Sequence, residues 1–210
     1  MIKGIIFDLD GVLCHTDEYH YLAWKALADR LGIYFDREIN NRLRGVDRTK
    51  SLEIILERGT AQYTEEEKKF FAEEKNELYK KMLEKMSPED LSEEVRDTLV
   101  GLKEKNIRIA VGSSSKNACY ILEKLGILNW FDAVVSGNDI TKSKPDPEVY
   151  EKARQKVALL PEECIVVEDA VSGVLAGKSA GMKVIGIGEA SYCTFVDFSI
   201  KSTKEIELFL

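Results

Sequence analysis

The run Ile2–Asp8 reads as a buried strand whose sheet partners must come from far downstream. Ile5, Ile6 and Phe7 make it continuously apolar before Asp8-Leu9-Asp10-Gly11, the pattern of a strand covered on both faces. The next stretch of chain is helical. From Asp17 to Leu31 the positions Trp24, Leu27, Ala28 and Leu31 recur at helical spacing, and Gly32 is a stop signal. Asp36–Leu43 and Thr49–Arg58 read as short helices. Thr64-Glu65-Glu66-Glu67 is a capping-box pattern that opens a long charged helix towards Met86. Between Thr16 and Met86 there is no convincing strand.

After Ser87-Pro88 the pattern changes. A helix over Glu93–Lys105 precedes the strand Ile107–Gly112. Then come helix Asn117–Leu125, strand Ala133–Ser136, and a helix opened by Asp146 as N-cap with Pro147 in its first turn. Strand Cys164–Val167, helix Gly173–Ala180 and strand Lys183–Ile187 complete the series. Strands alternating with helices predict an α/β fold with a doubly wound, Rossmann-like parallel sheet. The first strand precedes the helical block and the others come after it, so the block is an insertion. The expected division is a core over residues 1–15 and 88–210 and a helical bundle cap over 16–87. The crossings near Cys14–Asp17 and Glu84–Ser92 would be hinges. The length of 210 residues, large for one compact domain and small for two, fits a core with a smaller insertion.

Composition removes other classes. The formal net charge of −7 disfavours a nucleic-acid partner, which calls for a basic patch. No apolar run approaches the ~20 residues of a membrane span, and the start lacks the apolar core of a signal peptide. A cytoplasmic protein with reduced thiols is expected. No exposed apolar segment argues for a dimer, so a monomer is expected. Of the four cysteines, Cys119 and Cys164 sit in apolar contexts and read as core residues. Cys14 adjoins His15, but adjacent side chains often point apart, which weighs against a Cys–His nucleophile.

Ligands of an open parallel sheet bind beyond the carboxyl ends of its strands. The first strand ends in Asp8 and Asp10, and the second in Ser113, with Ser114, Ser115, Lys116 and Asn117 behind it. The third leads through a loop to Lys144-Pro145, and the fourth ends in Glu168-Asp169. Any one of these is an ordinary turn or cap residue. Together, in chain order, they place carboxylates, a lysine and hydroxyls on one rim. That set suits phosphate chemistry on Mg2+, which prefers carboxylate oxygens and keeps a position for a phosphate oxygen.

Asp8-Leu9-Asp10-Gly11-Val12-Leu13 resembles the D-x-D-G signature of the haloacid dehalogenase-like superfamily, and Ser113, Lys144-Pro145 and Glu168-Asp169 resemble its later motifs. The resemblance covers essentially the whole chain. Asp17-Glu18-Tyr19-His20, Arg44-Gly45-Val46-Asp47-Arg48 with Ser51-Leu52, and Ser113–Asn117 further resemble the β-phosphoglucomutase family. The resemblance implies that Asp8 is a nucleophile forming an aspartyl-phosphate and that Asp10 is the general acid/base. It implies a Mg2+ held by Asp8, Asp169 and the main-chain carbonyl of Asp10, with Glu168 as an accessory acid. Ser113 and Lys144 would grip the transferring phosphate, and Ser115, Lys116 and Asn117 would contact the substrate. Arg48 would hold the non-transferring phosphate. Thr16 and His20 would support Asp10 and the hinge, with Ser51 and Lys75 as further cap contacts. Lys75 also has a plainer reading as a solvated lysine in a charged helix, and His20 one as a half-buried helix residue.

This chain departs from the family pattern in several places. Arg44 replaces a lysine usual in the mutases, Ala170 a frequent serine, and Leu91–Val95 a Pro-Gly turn. Cys14-His15 is unusual before Thr16, and Glu189–Leu210 is short. The expected activity interconverts β-glucose 1-phosphate and glucose 6-phosphate through a bisphosphate. The alternative is a Mg-dependent sugar-phosphate phosphatase, which admits water to the same aspartyl-phosphate. A phospho-acceptor signalling module would need neither Asp10 nor an inserted cap. A dehalogenase would leave Asp10 and Asp169 idle.

Overall fold

The computed structural model describes residues 1–43 and 46–210. Its sheet is six-stranded and wholly parallel, in the order β3-β2-β1-β4-β5-β6. The strands are β1 (Gly4–Phe7), β2 (Arg108–Gly112), β3 (Ala133–Val135), β4 (Cys164–Glu168), β5 (Lys183–Gly186) and β6 (Phe198–Ser199). Five of them match the strand-like runs of the sequence. The sixth has two residues and no apolar run of its own; its pairing with β5, Ile185 opposite Phe198, defines it. β1 lies in the middle, with Phe7 opposite both Val111 and Val167. Asp8 therefore emerges between the ends of β2 and β4.

Successive residues of β1 feed different cores, as strand geometry requires. Ile5 and Phe7 pack with Val111, Val167 and helices α5 (Glu93–Glu104) and α6 (Ala118–Lys124) on one face. Ile6 packs with Ala110, Val166 and helices α7 (Glu148–Lys156) and α8 (Val171–Ser179) on the other. Helix α7 starts later than its sequence signals predict. Pro147 holds the N-cap position, and Asp146 accepts from the Glu148 amide at 3.1 Å.

Among the described residues, four α-helices lie between β1 and α5: α1 (Asp17–Arg30), α2 (Arg37–Asn41), α3 (Arg48–Leu56) and α4 (Glu65–Leu83). Trp24, Leu27, Ile39, Leu52, Ile55 and Phe71 give this block an apolar cluster of its own. Its base, Ala23, Tyr79 and Leu83, joins the sheet's core. Thr64 and Glu67 form the reciprocal capping box that starts α4. Among the described residues, no helix is long and apolar enough to cross a membrane. All four cysteines are free. Cys164 is buried as expected, but Cys119 is exposed, because it falls on the outer side of α6 despite its apolar neighbours in sequence.

Candidate active site

The turn after β1 is folded on itself. The amides of Leu13 and Cys14 donate to the Leu9 carbonyl, and Gly11 N–H donates to the Cys14 carbonyl at 2.7 Å. Gly11 has φ +87°, and a Cβ there would lie 2.1 Å from Oδ2 of Asp169. Only glycine lets this turn lie against the end of β4. Cys14 is buried in the turn, its thiol 3.8 Å from the Leu9 carbonyl and pushed well up in pKa by burial. His15 is exposed, so the two do not make a nucleophilic pair.

Across from Asp8 stands Lys144, buried, with Nζ 2.5 Å from Asp8 Oδ1 and 2.6 Å from Glu168 Oε1. Burial alone would lower the lysine's pKa, but the two carboxylates outweigh it and hold the ammonium above its ordinary value. Glu168 is saturated with donors. Its Oε1 also accepts from Tyr150 Oη at 2.5 Å, and its Oε2 accepts from the amides of Asp169 and Ala170, each at 3.0 Å. Burial raises Asp8 to about 6, against the opposing pull of Lys144. Asp10 is pushed well above the carboxylate range by burial first and by Asp8 next.

The loop after β2 supplies hydroxyls. Ser113 Oγ accepts from the Ser115 amide at 3.1 Å, and Ser115 Oγ accepts from the Asn117 amide at 3.2 Å. Each hydroxyl accepts through a lone pair and keeps its own proton for an oxyanion. Lys116 is exposed, and Asn117 is buried at the start of α6.

The helical block faces these groups. Thr16 Oγ1 donates to Asp10 Oδ1. Lys75 is buried, not solvated: its Nζ lies 2.9 Å from His20 Nδ1 and over the rings of Trp24 and Tyr79. His20 is half-buried and stacks on Tyr79 at 4.0 Å. Burial lowers the pKa of both, and the Lys75 charge lowers His20 further. Arg48, the first residue of α3, and Ser51, one turn on, also face inward. Arg44 and Gly45 lie outside the described residues.

One cavity of about 560 Å³ joins the two sides. Asp8, Asp10, Ser113, Ser115, Lys116, Asn117, Lys144, Glu168 and Asp169 line it from the sheet, and His20, Arg48, Ser51 and Lys75 from the block. Thr16 stands behind Asp10 rather than in the lining. Two further residues belong here that sequence reasoning did not single out. Asn76, next to Lys75, also lines the cavity, and Tyr150, six positions after Lys144, holds Glu168. Asp8, Glu168 and Asp169 offer carboxylate oxygens that all lie within 4.8 Å of one another. An all-oxygen, buried donor set fits a hard divalent cation. Since Glu168 is occupied by the lysine, the phenol and the turn, a cation there would draw on Asp8 and Asp169.

Residues 5–187 match the family model described as haloacid dehalogenase-like hydrolase. A β-phosphoglucomutase of Bacillus subtilis (strain 168) is 41% identical over 209 residues, covering 99% of this chain and 92% of that protein. A phosphorylated carbohydrates phosphatase of Thermotoga maritima is 33% identical over 187 residues, 88% of this chain and 84% of that protein. The crystal structure of a β-phosphoglucomutase from Clostridium difficile superposes with a TM-score of 0.92 at 37% identity, covering 98% of this chain and 93% of that one. The chain therefore belongs to the haloacid dehalogenase-like hydrolase family and, within it, resembles the β-phosphoglucomutases.

Proposed function

We propose that the chain is a β-phosphoglucomutase, interconverting β-glucose 1-phosphate and glucose 6-phosphate by way of a bisphosphate. The observation that carries this reading is the two-sided cavity. A phosphoryl-transfer set (Asp8, Asp10, Ser113, Lys144) lines its sheet side, and a guanidinium, Arg48, lines the block side. A mutase must hold both phosphates of its intermediate, and a planar two-pronged donor suits the second one.

Asp8 attacks phosphorus and the bond to the leaving sugar oxygen breaks. Asp10, raised in pKa by burial and by the neighbouring Asp8, gives that oxygen its proton. In the reverse sense the Asp8–phosphorus bond breaks, a bond forms to the accepting sugar hydroxyl, and the hydroxyl's proton returns to Asp10. Lys144 and Ser113 hold the phosphoryl oxygens during each transfer. Mg2+, held by Asp8, Asp169 and the main-chain carbonyl of Asp10, would neutralise charge on the transferring group. Residues 16–87 act as a cap whose closure excludes water. The substrate is a small phosphorylated sugar, and the chain is taken to act as a monomer.

The test is the product formed from β-glucose 1-phosphate with Mg2+ and a trace of glucose 1,6-bisphosphate. Glucose 6-phosphate is expected, and none from Asp8→Asn. Free glucose with inorganic phosphate would instead support a sugar-phosphate phosphatase, the reading favoured by the similarity to the Thermotoga phosphatase.

A further inference from the structure

Asn117 stands at the N-cap position of α6, yet its side chain caps nothing. Asparagine there normally offers its amide oxygen to the first unpaired N–H groups of the helix. Here Nδ2 donates to Oδ1 of Asn76, 3.0 Å away, and both residues are buried. Asn76 belongs to α4. The bond thus runs from the helical block to the sheet's substrate loop, apart from the two connecting segments. Separated but still dry, the two amides would each lack a partner, which is costly; separated and wet, both are satisfied by water. The pair therefore favours two states, seated or open, over any half-closed one.

The residues around it connect this bond to the chemistry. Asn76 adjoins Lys75, which contacts His20. On the other side the Asn117 amide is tied to Ser115, and Ser115 to Ser113. A shift of Asn117 is passed first to Ser115, while Ser113 is held independently by its amide, which donates to the Val135 carbonyl of β3 at 2.9 Å.

We propose that Asn76 is a positioning residue for the Ser115–Asn117 part of this loop, making its placement depend on the cap being seated. The choice between sugar and water rests on the mutase reading above. In the second transfer the Asp8–phosphorus bond breaks, the acceptor oxygen bonds to phosphorus, and the acceptor's proton goes to Asp10, whether that acceptor is a sugar hydroxyl or water. A seated loop, lining the same cavity as Arg48, helps Arg48 fix the sugar's other phosphate and so keeps its hydroxyl, not water, in line.

The test compares two substrates. For Asn76→Ala, kcat/KM on β-glucose 1-phosphate should fall about tenfold or more, the scale of a lost buried hydrogen bond, mainly through KM. Hydrolysis of p-nitrophenyl phosphate, which has no second phosphate for the loop, should fall by a factor at least about threefold smaller. The ratio of inorganic phosphate to glucose 6-phosphate should rise. Asn76→Asp keeps an acceptor for Asn117 and should recover most of the loss. Equal losses on the two substrates overturn the proposal, as does an Asn76→Asp protein no better than Asn76→Ala. If Asn76→Ala does not fold, Asn76→Ser, too short to reach Asn117, replaces it under the same criteria. A wild-type protein that yields only glucose and inorganic phosphate defeats the mutase reading, while the two-substrate comparison still decides the role of Asn76.

Discussion

The phenol of Tyr150 donates to Oε1 of Glu168 over 2.5 Å, the same oxygen that receives Lys144 at 2.6 Å. The carboxylate that holds the lysine is thus itself held, and the lysine lies over the Tyr150 ring at 4.8 Å. The fit has no slack. A Cβ on Gly173 would fall 1.7 Å from Glu168 Oε1, and one on Gly112 2.9 Å from the Tyr150 ring. Tyr150→Phe keeps the ring and removes one donor. It is expected to lower stability by about 1–2 kcal/mol in urea unfolding. Turnover should fall with KM little changed, because Lys144 is then drawn towards the less satisfied Glu168 and away from Asp8.

Gly11→Ala should harm both fold and site. The backbone there is left-handed, and the added methyl would meet Asp169. A loss of about 1–3 kcal/mol is expected, with a higher Mg2+ concentration needed for half-maximal activity. Gly32→Ala is the control. It shares the positive φ, +68°, but meets nothing within 4 Å, so it should lose stability without changing the Mg2+ requirement.

The pH dependence of stability has a defined sign. Asp8 is raised from its ordinary 3.8 to about 6 in the fold, so the native state binds its proton more tightly than the unfolded chain. The resulting contribution, of order 3 kcal/mol, is present below the unfolded pKa and lost as pH rises through about 6. Asp10 acts in the same direction. The melting temperature of metal-free protein should therefore carry a falling component over this range, reduced in Asp8→Asn. Mg2+ binds the deprotonated carboxylates and should stabilise more at about pH 7.5 than at about pH 5.

Arg48→Ala should discriminate between substrates. Loss of a charge-assisted two-pronged contact is expected to cost about a hundredfold in kcat/KM for β-glucose 1-phosphate. A small ester such as p-nitrophenyl phosphate should be nearly unaffected. Steady-state kinetics on both substrates checks this, and similar losses would remove the proposed role.

The sheet half of the site is legible in the sequence because topology does the work. Once the strands alternate with helices, Asp8, Ser113, Lys144 and Glu168-Asp169 must come to one rim. The block half is less so. Lys75 lies in a strongly charged helix and reads as solvated, yet Phe71, Lys75, Tyr79 and Leu83 recur every fourth residue and all are buried. That stripe is a usable signal. Asn76 and Tyr150 carry none, since their roles depend on partners, Asn117 and Glu168, brought together only by the tertiary fold. Cys119 reads as core from its apolar neighbours in sequence, but those neighbours do not share its side of the helix. β6 is defined by its neighbour rather than by its own residues.

The placement of β1 between β2 and β4 also bears on how the protein is made. The residue that would attack phosphorus is made before the helical block, but the strand before it gains its first neighbour only with residues 108–111 and its second with 164–167. The helices of residues 17–83 can form from local contacts in the meantime, while β1 waits with unpaired backbone on both edges. Lys144, Glu168 and Asp169 arrive later still. A nascent chain halted before Asp169 carries its nucleophile with no complete set of partners, so reactivity waits until the β4 segment has been made and paired.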